Sequence, residues 1–371
     1  MPAPNVTDRG LRFKEPPPPR QKTDYIVLHH AAASRCTVED VHRWHLNRDW
    51  LGIGYHLFVD KAGLIYAGRS LDSQGAHCKD HNHESVGVCA EGDFSKEQMP
   101  ARQEHALVTV AAWLLERYPG AKLAAHRDLN ATSCPGDHYP LSRIIDAALG
   151  RLTPICGPPQ VTVEQARAYL ARECPGWEDM ADGYWLLWPL YPVRPEVALS
   201  LSLHETGKFR FSGDVRPDQN NFGGLGATGG GGRGASFPDR QTGREAVVQH
   251  LYLYAVGGDL PSGRPLLDPR WEAAKANAGC CPYLEQLAGR WAWPGYDRSR
   301  FASLEEAYRA GATYGQVIRD RYLAVLMAEP VPKPPQPEPA EEAIPLVEYK
   351  RVVDELEVAR EKLARIREIV A

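Results

Sequence analysis

A histidine and a cysteine stand eight positions apart in the segment LAAHRDLNATSCPGDHYP, residues 123–140. The polar, proline and glycine residues of this segment are typical of a loop. Two imidazoles and one thiolate are an accepted ligand set for a catalytic zinc ion, which keeps a fourth position open for water. His126 and Cys134 are therefore candidate metal ligands, although a buried histidine or cysteine is more often a packing residue.

The third ligand of such a site has to come from another part of the chain. The segment TDYIVLHHAAA indicates a buried strand and offers His29 and His30. Neighbouring side chains of a strand point to opposite faces, so only one of these two histidines can face the other ligands. The residues alone leave that choice open, and spacing alone favours packing over metal binding.

A second candidate for chemistry is Glu205, in the segment LSLHETGKF. Its carboxylate lies at the end of an otherwise apolar helical segment, PEVALSLSLHETG. Burial there would raise the pKa of the carboxyl, which a general acid acting on a glycosidic oxygen requires. The helix dipole disfavours an acid at this end, so the residue is either functional or part of a frayed, solvated terminus.

Composition limits the class of protein. The chain has 371 residues, of which 43% are hydrophobic, and this is enough for two or three packed domains. A net charge of −4 and the absence of a long Lys/Arg run argue against nucleic acid as a ligand. The sequence contains no segment suited to span a membrane and no apolar signal-peptide core, which predicts synthesis in the cytoplasm. The eight cysteines are irregularly spaced, so we expect reduced thiols.

Hydrophobic patterning divides the chain into parts of different class. After a proline-rich leader, residues 1–21, residues 22–150 predict an α/β domain with a central mixed sheet and flanking helices. The strand pattern then largely disappears, and residues 159–328 predict a mainly α-helical domain. The predicted strands are TDYIVLHHAAA, both halves of IGYHLFVDKAGLIYAG, and SVGVCAEG; the predicted helices are VEDVHRWHLNRDW, ARQEHALVTVAAWLLERYPG, VTVEQARAYLAREC, PEVALSLSLHETG, GREAVVQHLYLYA and SLEEAYRAGATYGQVIRDRYLAVLM.

The C-terminal part predicts a spacer and an oligomerising helix. Residues 329–345 are proline-rich and typical of an extended polyproline linker. In residues 346–371 apolar side chains recur at alternating steps of three and four, the pattern of a coiled-coil seam. We expect this helix to pair with copies of itself, giving a homo-oligomer; docking on its own chain is the alternative. The seam positions are Tyr349, Val352, Leu356, Ala359, Leu363, Ile366 and Val370.

Four motifs in order resemble the zinc amidase family that includes small phage lysozymes of N-acetylmuramoyl-L-alanine amidase type and the peptidoglycan recognition proteins. They are VLHHAA, IGYHLFV, GAHCKDHNHESVGVCAEG and AAHRDLNATSCPG, within residues 22–145. The resemblance implies that His29, His126 and Cys134 bind Zn²⁺, that Tyr55 is the catalytic tyrosine, and that Thr132 acts beside the metal. His77 and Asn82 are expected to contact substrate in the groove, with a solvated loop as the alternative for this histidine-rich segment.

Residues 160–326 resemble bacterial glucosaminidases of glycoside hydrolase family 73, on the segments HETGKF, QNNFGGLGATGG and TYGQVI. The resemblance implies a lysozyme-like fold that cleaves after N-acetylglucosamine, with Glu205 as the acid and Tyr314 in the cleft. Asn221 and Phe222 are expected to contact the glycan. The identity of the second catalytic carboxylate stays open, because the substrate's acetamido group could replace it. The candidates are Asp214, Asp218 and Asp239, and Trp291 and Trp293 could stack on sugars.

Together these features predict a peptidoglycan hydrolase of phage or prophage endolysin type, made in the cytoplasm and acting on the cell wall after release or lysis. The sequence leaves two alternatives. The second domain could be a wall-binding module without activity of its own. The first domain could be an amidase-fold regulator that binds another protein.

Overall fold

A six-stranded mixed sheet forms the centre of the N-terminal domain in the computed structural model, which describes residues 3–211, 213–227 and 232–331. The strand order is β1-β4-β3-β5-β2-β6, in which β3 and β4 are antiparallel and every other neighbouring pair is parallel. The strands are β1 (Val6–Thr7), β2 (Tyr25–His30), β3 (Leu57–Val59), β4 (Ile65–Ala67), β5 (Ser85–Ala90) and β6 (Lys122–Ala125).

Each face of the sheet is covered by helices. Ile26 and Leu28 of β2 face α2 (Ala101–Arg117) and α4 (Leu141–Ala148) in the larger core cluster. The opposite face packs on α1 (Val38–Asn47), whose start is fixed by a capping box between Thr37 and Asp40. The expected strands and the two long helices of this domain are therefore present.

The leader contributes to the first domain. Val6 and Thr7 form β1 and pair with β4 at the sheet edge. Further along, the backbone N–H of Lys14 donates to the carbonyl oxygen of Leu51 at 2.9 Å, and that of Arg20 to Asp72 at 2.7 Å. The sequence assigns residues 1–21 to a separate leader, because a two-residue strand among prolines has no readable period. The described part, 3–21, instead packs along the sheet and its loops.

The second domain is mainly α-helical, as predicted, around one large apolar core. One of its helices starts with Pro195 in the first turn and is followed by Gly207 at φ +59°, as the sequence predicts. The α-helices are α5 (Val163–Glu173), α6 (Asp179–Leu187), α7 (Pro195–Glu205), α8 (Arg240–Ala255), α9 (Trp271–Ala274), α10 (Leu304–Arg309), α11 (Tyr314–Ile318) and α12 (Ala324–Met327); 3₁₀ turns span Pro217–Gln219, Lys275–Asn277 and Leu284–Leu287, and a π-helical turn, Arg319–Leu323, joins α11 to α12.

Two segments differ from the predicted secondary structure. The segment SLEEAYRAGATYGQVIRDRYLAVLM is divided, because α10 ends before Gly311 at φ +68° and a new helix begins at Tyr314. The segment LAAHRDLNATSCPGDHYP is only partly a loop, because β6 ends at Ala125 and a short helix, α3 (His126–Leu129), follows at once. His126 is thereby tied to a strand end.

The chain up to Glu329 forms one compact unit that contains both domains. Within the described residues, no helix combines the length and the apolarity that crossing a membrane requires. Most of the predicted proline linker, 329–345, and all of the predicted coiled-coil helix, 346–371, lie outside the described residues.

Candidate active sites

Three predicted ligands meet at the end of the central strands. The nitrogens of His29 and His126 that could bind a metal and the Sγ of Cys134 all lie within 4.8 Å of one another. Strands β2 and β6 are parallel with Leu28 opposite Ala125, so the residues that follow these two positions stand side by side. His30 points to the opposite face, where its Nδ1 accepts from the backbone N–H of Phe94 at 3.2 Å. The observed register of β2 against β6 thus selects His29.

A tight loop brings the cysteine to the two histidines. The Cys134 carbonyl oxygen accepts from the backbone N–H of Arg127 at 3.0 Å, and its own N–H donates to Thr132 Oγ1 at 3.2 Å. Two residues later Gly136 adopts φ +95°, and a Cβ there would lie 2.4 Å from the carbonyl carbon of Phe94. Only glycine fits this close approach, so the loop geometry is specified by sequence.

Two neighbours orient the histidines. His29 Nε2 lies 3.0 Å from His77 Nδ1, and His126 Nε2 lies 3.1 Å from Asn130 Oδ1. If each Nε2 carries its proton toward these partners, Nδ1 of both rings keeps its lone pair for a cation. The second partner, Asn130, also accepts from the thiol of Cys78 at 3.2 Å. Neither Asn130 nor Cys78 was predicted as a site residue, and neither has a spacing signal that could identify it.

Burial sets the protonation states of the cluster. Desolvation lowers the pKa of His29 well below its usual value, with the nearby His126 as a smaller cause. Burial also lowers the pKa of His126. Both rings are therefore neutral near pH 7, the form in which imidazole binds a metal. Burial raises the pKa of the Cys134 thiol to about 11, so a bound cation would have to displace the thiol proton. The donor set fits zinc.

A cavity of about 900 Å³ opens beside the cluster. His77 and Asn82, the predicted substrate contacts, both line it, but each also has a structural role. Asn82 Oδ1 accepts from the backbone N–H groups of His77 at 2.8 Å and Cys78 at 3.0 Å. Other lining residues include Trp50, Arg69, Lys79, His126, Asn130 and Thr132.

Tyr55 and Thr132 flank the cluster differently. The ring of Tyr55 lies 5.0 Å from that of His29, measured between centroids, and its hydroxyl is hydrogen-bonded to the Cys89 thiol. Burial raises the Tyr55 pKa well above its usual value, so this hydroxyl is a neutral donor. To donate a hydrogen bond to an oxyanion, the Tyr55 hydroxyl has to give up its hydrogen bond to Cys89. Thr132 is exposed, lines the cavity, and accepts from Cys134 N–H.

In the second domain, Glu205 lies at the end of α7 in the wall of a cavity of about 640 Å³. Burial raises the pKa of its carboxyl to about 7, and hydrogen bonds from Tyr314 and Trp291 oppose that rise. The Tyr314 hydroxyl donates to Glu205 Oε1. The structure thus brings together the two predicted catalytic residues of this domain.

The three candidate second carboxylates differ in position. Asp214 lines the cavity with Glu205. Asp218 is exposed in the turn Pro217–Gln219 and is not part of the described lining. Asp239 caps α8, accepting from the N–H of Thr242 at 2.7 Å. Among the three, only Asp214 lines the cavity that contains Glu205.

The expected glycan contacts Asn221 and Phe222 are corrected by the structure. Both side chains have 0% exposure, so neither reaches a ligand. The Asn221 amide bridges the backbone of Leu225 and Ala235 at 2.9 and 3.0 Å, which shapes the loop. The Phe222 ring belongs to the apolar core. By contrast, Trp291 and Trp293 do line the cavity.

A buried histidine–aspartate pair, whose histidine lines the same cavity, was not predicted. His250 Nδ1 lies 2.7 Å from Asp268 Oδ2, and the side chains are 2% and 0% exposed. The His250 ring packs edge-to-face on Trp291, with 4.5 Å between ring centroids and 70° between the ring planes. Eighteen residues separate the two partners along the chain, a spacing that carries no signal in the sequence.

Comparison with known proteins assigns the first domain. The model of the family described as N-acetylmuramoyl-L-alanine amidase matches residues 19–137. The endolysin of Escherichia phage T7 is 34% identical over 134 residues, covering 34% of this chain and 85% of that protein. The endolysin of Enterobacteria phage T3 is 33% identical over 126 residues, covering 32% and 83%. The chain therefore belongs to the N-acetylmuramoyl-L-alanine amidase family, which is zinc-dependent in general and acts on peptidoglycan.

Two further proteins are also similar to part of this chain. Peptidoglycan-recognition protein LB of Drosophila melanogaster is 32% identical over 125 residues, covering 30% of this chain and 54% of that protein. Among solved structures, the N-acetylmuramoyl-L-alanine amidase LysC from Clostridium intestinale URNW is 30% identical, covering 40% of this chain and 99% of that chain with a TM-score of 0.39. The family match ends at residue 137, before the second domain begins.

Proposed function

We propose that the first domain hydrolyses the amide bond between N-acetylmuramic acid and L-alanine, using a zinc ion held by His29, His126 and Cys134. The observation that supports this most directly is the meeting of these three ligand atoms within 4.8 Å beside a large cavity. Bound zinc would polarise the amide carbonyl and lower the pKa of the attacking water toward ~7. The membership in the amidase family supports the same reaction.

The chain's own residues orient the ligands and stabilise developing charge. His77 and Asn130 hold the two imidazole rings in the tautomer that keeps a lone pair for the metal. Thr132 lies at the cavity wall, from where its hydroxyl can donate to the oxyanion. Tyr55 contributes a second donor after giving up its bond to Cys89. Trp50 and Lys79, both in the cavity wall, are available for the glycopeptide.

The test combines metal content with product analysis on purified cell walls. We expect Cys134→Ser to lose zinc, measured by elemental mass spectrometry, and to release no new L-alanine amines. Cys156→Ser, at a half-buried cysteine remote from the cluster in sequence, serves as the matched control and should retain both. Retained amine release by metal-free Cys134→Ser would contradict the proposal. A zinc-loaded wild type that releases no amines would instead favour the regulator that binds another protein.

For the second domain we propose glycan cleavage after N-acetylglucosamine, with Glu205 as general acid. The supporting observation is a buried carboxyl in a cavity wall whose pKa is raised to about 7, so that it holds a proton at near-neutral pH. That proton passes to the glycosidic oxygen as the bond breaks. Asp214, or the acetamido group of the substrate, then supports the positive charge at the sugar until water adds to the anomeric carbon and returns a proton to Glu205.

The corresponding experiment uses the same walls and the same mass spectrometry. We expect Glu205→Gln to abolish new reducing N-acetylglucosamine ends while L-alanine amine release continues. Asp218→Asn is the matched control, because it removes an exposed carboxylate outside the described cavity lining. A wild type that binds walls without producing reducing ends would contradict the glucosaminidase and leave the wall-binding module as the function of this domain.

A further inference from the structure

The segment that carries Trp291, residues 285–292, lies between the Glu205 cavity and the first domain. We call it the Trp291 segment. The Trp291 indole hydrogen-bonds the Glu205 carboxyl, and Arg290 and Trp291 both line the cavity. The position of this segment therefore determines whether the Trp291 indole N–H reaches Glu205, the proposed general acid.

The first domain holds this segment through several hydrogen bonds. Arg143 of α4 donates through Nη1 to the carbonyl oxygens of Glu285 at 3.4 Å and Ala288 at 3.3 Å. Arg290 donates through Nη2 to the carbonyl oxygen of Met99, just before α2, at 2.8 Å. The same nitrogen lies 3.4 Å from Glu104 Oε2. Three points of the segment are thus fixed by residues of the amidase domain.

Glu104 of α2 is the centre of this contact. Arg143 contacts it with two nitrogens, at 2.8 and 2.7 Å, and the two side chains are 3% and 2% exposed. A buried ion pair of this kind contributes little net stability, because desolvation of both charges offsets their attraction. It does fix geometry, because the bidentate contact allows one relative orientation of the two groups.

We propose that Glu104 and Arg143 are positioning residues for the second site, so that the amidase domain holds the Trp291 segment where the indole N–H reaches Glu205. This inference deepens the proposed glucosaminidase and rests on it for its catalytic meaning. Residues 159–328 alone would then keep the Tyr314 donor to Glu205 but lack a correctly placed Trp291 indole. The chain is accordingly one functional unit rather than two independent enzymes in series.

The variant that tests this changes both members of the anchoring pair together, so that neither Glu104 nor Arg143 is left as a buried charge without the other. Glu104→Gln combined with Arg143→Met deletes one negative and one positive charge, so the net field at Glu205 changes little. Arg290 keeps its charge in the cavity wall. The titratable groups that face Glu205 are all unchanged in this variant: Tyr314 from α11, His250 from α8, and Asp214, Arg270 and Arg290 from the loops of the cavity wall.

The measurement is a carboxyl ¹³C NMR titration of the full-length chain, with Glu205→Gln used to assign the Glu205 signal. We expect the double variant to raise the pKa of Glu205 by about one, the effect of losing one hydrogen bond to a charged group. Glu305→Gln is the control, because it cuts another contact between the domains, to Ser142 Oγ at 2.6 Å, outside the cavity lining. Its Glu205 pKa should equal that of the wild type.

If the double variant does not fold, Arg290→Lys replaces it, because lysine keeps the charge and loses the guanidinium fork. An unchanged Glu205 pKa in the folded variant would overturn the inference.

As a second readout, kcat/KM for reducing-end release should fall by about tenfold to a hundredfold, with amine release retained. A wild type that produces no reducing ends would contradict the proposed glucosaminidase alone, because the titration still decides whether the first domain positions Trp291.

Discussion

At the scale of single residues, the two candidate sites use burial for opposite purposes. In the first domain burial lowers the pKa of His29, which keeps the ring neutral and able to bind a cation. In the second domain it raises the pKa of Glu205, which keeps the carboxyl protonated and able to donate. Neither effect depends on a nearby charge as its main cause. Desolvation therefore favours opposite states in the two sites: a neutral imidazole, as the proposed metal site needs, and a protonated carboxyl, as the proposed general acid needs.

His77 provides a prediction about the support of a ligand. Replacing it with alanine removes the partner of His29 Nε2, so that the ring can rotate and change tautomer. We expect zinc affinity or amine release to fall by about 10- to 100-fold, the usual effect of losing such a partner. Competition with a chelator measures the affinity. His83→Ala, whose side chain is 42% exposed, should leave affinity unchanged; equal losses in both variants would refute the orienting role.

Glu205 provides a prediction about pH. Because its pKa in the folded chain is raised from 4.5 to about 7, the native state binds more protons than the unfolded state between these values. The contribution of Glu205 to the free energy of unfolding is fully present below pH 4.5 and is lost as the pH rises through about 7. Relative to wild type, Glu205→Gln should therefore gain stability between pH 4 and pH 8, by up to about 3 kcal/mol. Urea unfolding at both pH values measures this, and a pH-independent difference would contradict the raised pKa.

The same residue sets the expected activity profile. General acid catalysis needs the protonated carboxyl, so release of reducing ends should decline on the alkaline side with a midpoint near 7. Initial rates on walls between pH 5 and pH 9 give this profile. An alkaline limb far from neutrality would show that another group supplies the proton.

At the scale of elements, patterning predicts the core strands and long helices well. Alternation along β2 limits the third ligand to one of two adjacent histidines, and the observed register selects His29. Pro195 and Gly207 mark the ends of α7 as predicted. The secondary structure of a buried periodic segment can be predicted from sequence, because each side chain faces either the core or the solvent and its type shows which.

Short elements and loop contacts were not predictable in the same way. β6 has four residues, and β1 has two, too few for a period to be recognised. Phe222 illustrates the problem for sites: an aromatic residue beside a glycine-rich loop suits sugar stacking as well as core packing, and only the fold shows that it is buried. Asn130 and His250 acquire their roles from distant partners.

The loop that carries Cys134 gives a prediction at this scale. Gly136→Ala requires a left-handed alanine and also places a Cβ 2.4 Å from the Phe94 backbone, so the loop has to move. Gly120→Ala is a matched control, since its φ of +94° is nearly the same and no atom lies within 4 Å of the added Cβ. The control should lose about 1–2 kcal/mol. Gly136→Ala should lose more and bind zinc more weakly, as judged by thermal unfolding and metal content.

At the scale of the whole molecule, both candidate sites belong to one compact unit, and the cavity of each candidate site is lined by residues of its own domain. The sequence also predicts assembly through the C-terminal segment. Removing residues 340–371 should reduce the number of chains per particle, obtained by dividing the molar mass from light scattering by the mass of one chain, because it deletes the heptad positions. Changing Leu356 and Leu363 to glutamate in the full chain is a second way to disrupt the seam. An unchanged number of chains per particle in both variants would refute self-association by this segment.

The packing of the N-terminal residues on the sheet has a practical consequence for producing the amidase domain. A recombinant boundary at residue 22 would remove β1 from its pairing with Ile65 and Tyr66, and Pro18 from the cavity wall. The bare edge of β4 would then offer unpaired backbone groups to a second molecule, a recognised route to aggregation. Shortened forms of this chain should therefore keep the first residues if they are to be stored without aggregating.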